Sequence, residues 1–323
     1  MLDAHSPAVA RRRPHRHQPI AAAPARPADP GLLEAYARAL EESGAYRVMR
    51  RLAPQAPSPA FQAPNARLAL MVDCETTGLD PVGDEVIELA VVPFQYGPSG
   101  RIIAVHAPVS QLRQPSRPIP PHVTDLTGID DDAVHGRAVD EGALLPLIAR
   151  TSLVIAHNSS FDRPFLERLL PAFEGVPWGC SMSQVPWREE GIRALGLAAI
   201  AAASGFFYDA HRAADDCLAA IELLGRPLPS SGRSALAELL RRAAADTVRV
   251  WAAGAPFAAR GLLRARGYHW SNGSGGRPRC WHADLEPERL EAELSFLHEE
   301  VGLDPASIPV TRLTALDRFS ARG

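Results

Sequence analysis

The chain has 323 residues, 46% of them hydrophobic and 22% charged, and a net charge of −3, which suits one medium globular domain and a smaller one. No apolar run is long enough to span a bilayer and no apolar stretch follows the first charges as in a secretory signal, so neither a membrane partner nor a leader is expected. The four cysteines, Cys74, Cys180, Cys217 and Cys280, form no CxxC pair, which argues against a disulfide framework and a structural zinc.

In chain order, residues 1–29 are rich in Pro, Ala, Arg and His without an apolar period, and predict a disordered, solvated tail. Every basic residue is arginine, which points to codon bias before it points to mechanism. Leu32, Leu33, Tyr36 and Leu40 recur at helical spacing, with Gly44 placed as a C-cap. A second short helix is expected over Tyr46–Leu52, and Ala53–Pro64 reads as an extended Pro-rich linker, so that 30–64 forms a helical extension. The main domain, 65–228, opens on an apolar strand at Leu68–Asp73, followed by strands at Glu85–Phe94 and Arg101–Val109. A helix at Val139–Arg150, a strand at Ser152–Ala156 and helices at Phe161–Leu170, Ile192–Ala203 and Arg212–Leu224 complete it. Strands first, then alternation with helices, is an α/β plan with a mixed sheet flanked by helices. A linker helix within 229–246 (Ala235–Ala244) leads to a small β-α-β-β-α-β domain, 247–323, with a hairpin signal at Asn272–Gly273.

Three acidic segments carry chemistry. Asp73 and Glu75 lie two apart where a buried strand ends, so they share a face and repel unless a cation intervenes. Oxygen-only ligands of this kind suit Mg²⁺ or Mn²⁺. Asp162 sits in the first turn of a helix that follows a second apolar strand, where Pro164 is tolerated. Alone it would be only a complement to the helix dipole. In His211-Arg-Ala-Ala-Asp215-Asp216, residues five apart cannot share a helix face, which puts His211 on the preceding loop and Asp216 in the first turns of the helix. An imidazole beside such an acid can act as a general base on water, whereas the plain alternative is a helix cap.

Together, Val72-Asp-Cys-Glu-Thr-Thr-Gly-Leu-Asp80, Ala156-His-Asn-Ser-Ser-Phe-Asp162 and His211-Arg-Ala-Ala-Asp-Asp216, with Val123–Ile129 between them, resemble the Asp-Glu-Asp-Asp-His 3′→5′ exonucleases. That family includes the proofreading epsilon subunit of bacterial DNA polymerase III and ribonuclease T. The resemblance covers roughly Leu68–Gly225. It implies a ribonuclease-H-like fold and two Mg²⁺ or Mn²⁺ ions, one held by Asp73, Glu75 and Asp216, the other contacted by Asp73, with Asp162 acting partly through water. It also implies His211 as general base, and Thr76, Thr77, Leu79, Asn158 and Phe161 as contacts to the terminal nucleotide. Asp215 would support the site from behind. The implied partner is nucleic acid with a free 3′ end, DNA favoured, in a bacterial cytosol. A polymerase or repair complex as further partner, an RNA-trimming role and a non-catalytic docking module stay open at this point.

The C-terminal module interleaves arginines with aromatics (Arg264, Arg266, Tyr268, Trp270, Arg277, Arg279, Trp281), a pattern of either base stacking or core packing. At least one tryptophan is expected in the core. His269, Cys280 and His282 match no common zinc spacing.

Overall fold

Where a strand is apolar through its middle, both faces must be covered, and β2 (Arg67–Thr76) over Leu68–Val72 and β3 (Val86–Tyr96) over Leu89–Phe94 satisfy this. Every residue of β3 is buried, and the antiparallel β2–β3 pair is the spine of a mixed six-stranded sheet. The computed structural model describes residues 29–53, 65–273, 277–320 and 322. The expected tail over residues 1–28 and most of the expected linker, 54–64, lie outside them.

The chain divides into two units, 1–48 and 49–323. In the first, helix α1 (Pro30–Glu42) is capped by Asp29, whose side chain accepts the Gly31 N–H at 2.9 Å. Gly44 follows it with a left-handed φ of 70°.

The second unit opens with a correction. The helix expected over Tyr46–Leu52 is absent; Arg50–Arg51 instead form β1, parallel to β8 (Phe206–Phe207). Local propensity loses to pairing here, for Leu52 N–H donates to Phe207 O at 2.8 Å and the Arg51 guanidinium lies over the Phe207 ring. The third expected strand is also two, β4 (Ile102–Val105) and β5 (Val109–Leu112), both lying along β3. Pro108 at the break has no N–H to give to the ladder. Two short helices follow, α2 (Pro121–Thr127) and α3 (Asp131–Val134). Gly128 ends α2 at φ 72°, a backbone state that costs glycine little. Ile119, Val123, Ile129 and Val134 then bury a small cluster against Ile87.

Helix α4 (Glu141–Arg150) leads to β6 (Leu153–Ala156), parallel to β2, and α5 (Ser159–Leu169) to β7 (Trp178–Cys180), the other edge of the sheet. The order β4-β3-β2-β6-β7, with β5 also on β3, gives the ribonuclease-H-like mixed sheet. One face packs on α4 and α5. The other packs on α6 (Leu197–Ala203), α7 (Ala213–Gly225) and α8 (Ala235–Ala244).

Beyond α8 come β9 (Thr247–Ala252), α9 (Arg260–Ala265), β10 (His269–Trp270), β11 (Trp281–Leu285), α10 (Leu290–Glu299) and β12 (Val310–Leu313). Their order in the sheet, β10-β11-β9-β12, antiparallel throughout, is the split β-α-β arrangement. The hairpin at Asn272–Gly273 does not close as a two-residue turn: the last strand pair is Trp270↔Trp281, so the loop is far longer. Tyr268 and Trp281 join the core, while Trp270 is half exposed. No helix among the described residues is long and apolar enough to cross a membrane.

Candidate active site

The site forms where β2 outruns its parallel neighbour. Pairing with β6 ends at Met71↔Ile155, so the backbone beyond it is open on that side. Asp162, in the first turn of α5, takes up the vacancy: its Oδ1 accepts the Cys74 N–H at 3.2 Å. Asp73 and Glu75 flank Cys74 and point to the opposite face, towards α7. There Asp216 completes a triangle: carboxylate oxygens of Asp73, Glu75 and Asp216 all lie within 4.8 Å of one another. It is the one such group of potential metal ligands among the described residues. Asp162 stands beside the triangle rather than in it.

The start of α7 is built around Asp216. Its Oδ2 accepts the N–H groups of His211 (2.9 Å) and Arg212 (3.1 Å), reaching back over the helix start as in a capping box. Its Oδ1 accepts the Tyr208 hydroxyl at 2.8 Å. His211 lies on the loop before the helix, exposed, at φ 68°. Left-handed backbone is uncommon for a non-glycine residue and tends to mark functional positions.

Glu88 was not expected. It lies directly across the β2–β3 ladder from Glu75, and like charges placed so destabilise a sheet. Glu88 is nevertheless buried, accepting the Ser110 hydroxyl at 2.8 Å and facing the Ala213 N–H at the positive end of α7. Arg212 approaches it at 4.0 Å. The sequence signal was present: one carboxylate in an otherwise apolar strand.

This crowding shows in the protonation behaviour. Burial, then the charges of Asp162, Asp216, Glu75 and Glu88, push Asp73 well above the usual carboxylate range. Glu75 is raised to about 7 by burial and then by Asp216 and Glu88, with Arg212 opposing. Asp162 is likewise raised to about 7, mainly by burial, although the Cys74 hydrogen bonds oppose it. Burial raises Asp216 against its donors Tyr208, His211 and Arg212. Four crowded acids, Asp162 buried and Asp73, Glu75 and Asp216 half-buried, that resist ionising together are a donor set that a hard divalent cation fits, since its charge removes the repulsion.

Of the residues assigned to the terminal nucleotide, Thr76 and Thr77 are buried with their hydroxyls engaged: Thr76 Oγ1 donates to Gly78 O, and Thr77 Oγ1 donates to Asp84 Oδ1 and accepts from the Glu85 N–H. Leu79 projects, 84% exposed. Asn158 is exposed at the start of α5, and Phe161 packs on Phe165 with ring centroids 5.1 Å apart. His157 is held by Ser181 Oγ (3.0 Å) and Leu195 O (2.8 Å), and burial lowers its pKa, so it is a neutral structural imidazole. Asp215 is not part of the triangle and lines a cavity of about 220 Å³ with Arg51, Tyr208 and Asp209.

Comparison with known proteins finds similarity over the part of the chain that holds these residues. Residues 70–224 match the RNase T family of exonucleases. DNA polymerase III PolC-type of Thermotoga petrophila is 32% identical over 111 residues, 34% of this chain and 8% of that protein. The DNA polymerase III subunit epsilon-like protein of Rhodobacter capsulatus is 36% identical over 111 residues, 33% of this chain and 15% of that protein. The matched region is thus a small part of these relatives. Among solved structures, exonuclease X in complex with 5′ overhanging duplex DNA aligns at a TM-score of 0.39 and 24% identity, covering 54% of this chain and 99% of that one. The E. coli ExoI–ssDNA complex aligns at 0.47 and 15%, covering 73% and 72%.

Proposed function

We propose, from an exonuclease-family domain at residues 70–224, that this protein is a divalent-metal-dependent 3′→5′ exonuclease acting on DNA. The observation that carries the reading is the triangle of Asp73, Glu75 and Asp216, with Asp162 buried beside it. Similarity to polymerase III proteins supports DNA over RNA and a replication or repair setting.

Asp73, Glu75 and Asp216, with Asp162, would hold two Mg²⁺ or Mn²⁺ ions, which supply Lewis-acid stabilisation of phosphate charge and make water acidic enough to attack. The chain's own residues do the rest. Tyr208 and the His211 and Arg212 amides fix the rotamer of Asp216. The Cys74 N–H fixes Asp162. His211 takes a proton from the attacking water at a ring nitrogen, and its place on a loop lets the ring approach once substrate is bound. Thr76, Thr77, Leu79, Asn158 and Phe161 border the space for the terminal nucleotide, with exposed Leu79 offering an apolar surface to a base.

The test is hydrolysis of labelled single-stranded DNA with Mg²⁺ by the unaltered protein, Asp73→Asn and Asp216→Asn. The substitutions should abolish cleavage while circular dichroism stays unchanged. Near-normal cleavage by either folded variant would sink the assignment.

A further inference from the structure

Arg163 follows Asp162 in the first turn of α5, and its side chain is fully buried. A buried guanidinium is tolerated only where its donors are paired. Those of Arg163 are paired with a distant piece of chain. Its Nε donates to Glu167 Oε1 at 2.6 Å, one turn along the helix. Its Nη1 donates to Arg318 O (2.6 Å) and Ala315 O (3.3 Å), and its Nη2 to Leu316 O (2.6 Å). The helix that carries Asp162 thus grips the carbonyls of a turn roughly 150 residues downstream.

That turn is built to be gripped. Asp317 holds it closed, its Oδ2 accepting the Thr314 N–H at 2.9 Å and the Thr314 hydroxyl at 2.6 Å. Phe319 takes a φ of 66°, which a bulky side chain adopts only where its surroundings impose it, and packs into the cluster containing Phe165 and Leu166 of α5. Ser320 and Arg322 close the loop back onto α5: Ser320 Oγ donates to Glu167 Oε2 at 2.8 Å, and Arg322 to both Glu167 oxygens at 3.1 and 3.0 Å. The edge strand takes part too, since Trp178 N–H donates to Ala315 O at 2.8 Å and the Arg163 guanidinium lies 5.5 Å from the Trp178 ring centroid. In the other direction Arg318, itself buried, donates to Arg242 O (2.9 Å), Ala243 O and Thr247 Oγ1 (3.1 Å), tying the same turn to the end of α8 and the start of β9.

We propose that this C-terminal strap, residues 314–320 with Arg322, is part of the framework of the acidic site, and that Arg163 is a positioning residue that sets Asp162 through it. Neighbouring residues of a helix are fixed about 100° apart and about 1.5 Å along its axis. Pinning Arg163 on one side therefore fixes the roll of the first turn, and with it the reach of Asp162 to the Cys74 N–H and the acid triangle. Groups that orient ligands from behind a metal site are typically worth about 10–100-fold in metal affinity. The C-terminal module then contributes to the acidic site through its tail, whatever else its sheet contacts. This rests on the reading of Asp162 as a metal-site residue.

The test is Mn²⁺ affinity by calorimetry, which needs no turnover, in the unaltered protein, a chain ending at Leu313, Asp162→Asn, and the two changes combined. The strapless chain should bind Mn²⁺ about 10–100-fold more weakly. Combined with Asp162→Asn it should be no weaker than Asp162→Asn alone, because both changes act on one group. A synthetic peptide of residues 314–323, added in trans, should restore part of the affinity. Arg163→Lys keeps the charge but carries its three donors on one nitrogen, so it cannot hold Glu167 and the three carbonyls together; it should show a smaller loss with the same non-additivity, which covers the case of a truncated chain that does not fold. Unchanged Mn²⁺ affinity in folded strap variants, or losses that add to that of Asp162→Asn, would overturn the strap while leaving the exonuclease reading intact. No Mn²⁺ binding by the unaltered protein would overturn both. Strap behaviour as expected, with no hydrolysis of any DNA, would overturn only the exonuclease reading.

Discussion

Cation binding at the acid cluster must displace protons, because burial and mutual repulsion raise its carboxylates. Without a cation Glu75 and Asp162 titrate at about 7, each raised first by burial. Their folded values lie above the unfolded ones, so the native state binds extra protons between about pH 4 and 7, and the site costs the cation-free fold stability progressively as pH rises through that window. Binding has the opposite dependence, because the cation takes the ionised form. From pH 8 to pH 6 the ionised fraction of a group titrating at 7 falls from roughly 0.9 to roughly 0.1, which weakens binding about tenfold per carboxylate. Both groups acting fully would give about 100-fold, or ~2.7 kcal/mol. Solvent screens the part-exposed Glu75 and the carboxylates titrate as a coupled set, so the loss expected lies between tenfold and that limit. Calorimetric titration with Mn²⁺ at pH 6, 7 and 8, in buffers of different ionisation enthalpy, reads both affinity and protons released. At least one proton should leave at pH 6, and fewer at pH 8 than at pH 6. Equal affinity at pH 6 and 8 with no proton release would refute the argument.

His211→Ala should lower the single-turnover rate by roughly 10²–10⁴-fold while Mn²⁺ affinity persists, since no ligand is removed; an unchanged rate takes His211 out of the chemistry. Gly100→Ala should lower stability by about 1–3 kcal/mol, because an added Cβ would meet Ala237 Cα and N at 2.7 Å where φ is 76°, and chemical denaturation showing no loss would contradict that close approach.

The sequence was most legible where one rule acted alone. Strands β2, β3 and β6 followed from mainly apolar runs, and α8 and β9 lie where periodicity put them, because their burial is decided by their own side chains. The acid cluster was legible for a related reason: strand alternation puts Asp73 and Glu75 on one face, and helix spacing keeps His211 on the loop before the helix that carries Asp216. Non-local pairing hid the rest. Nothing in Arg50–Arg51 announces a strand until Phe206–Phe207 offers an edge. Trp178–Cys180 is too short to read and becomes a strand only beside β6. Glu88 was passed over because an isolated acid in a strand looks like a surface position, and only its cross-strand neighbour Glu75 shows otherwise. The strap was invisible because Arg163 and the carbonyls it holds are more than 150 residues apart in the chain, and no residue type marks a carbonyl as an acceptor.

The central claim is directional removal of nucleotides from a 3′ end, and end-blocked substrates address it most directly. A single-stranded DNA labelled internally would be offered to the purified protein with Mg²⁺ in three forms: with free ends, with a 3′-phosphate, and with a blocked 5′ end. The free and 5′-blocked strands should shorten stepwise at the same rate, with label retained longest near the 5′ end, while the 3′-phosphate strand resists. Shortening from the 5′ end, or equal digestion of the 3′-phosphate strand, would contradict the account.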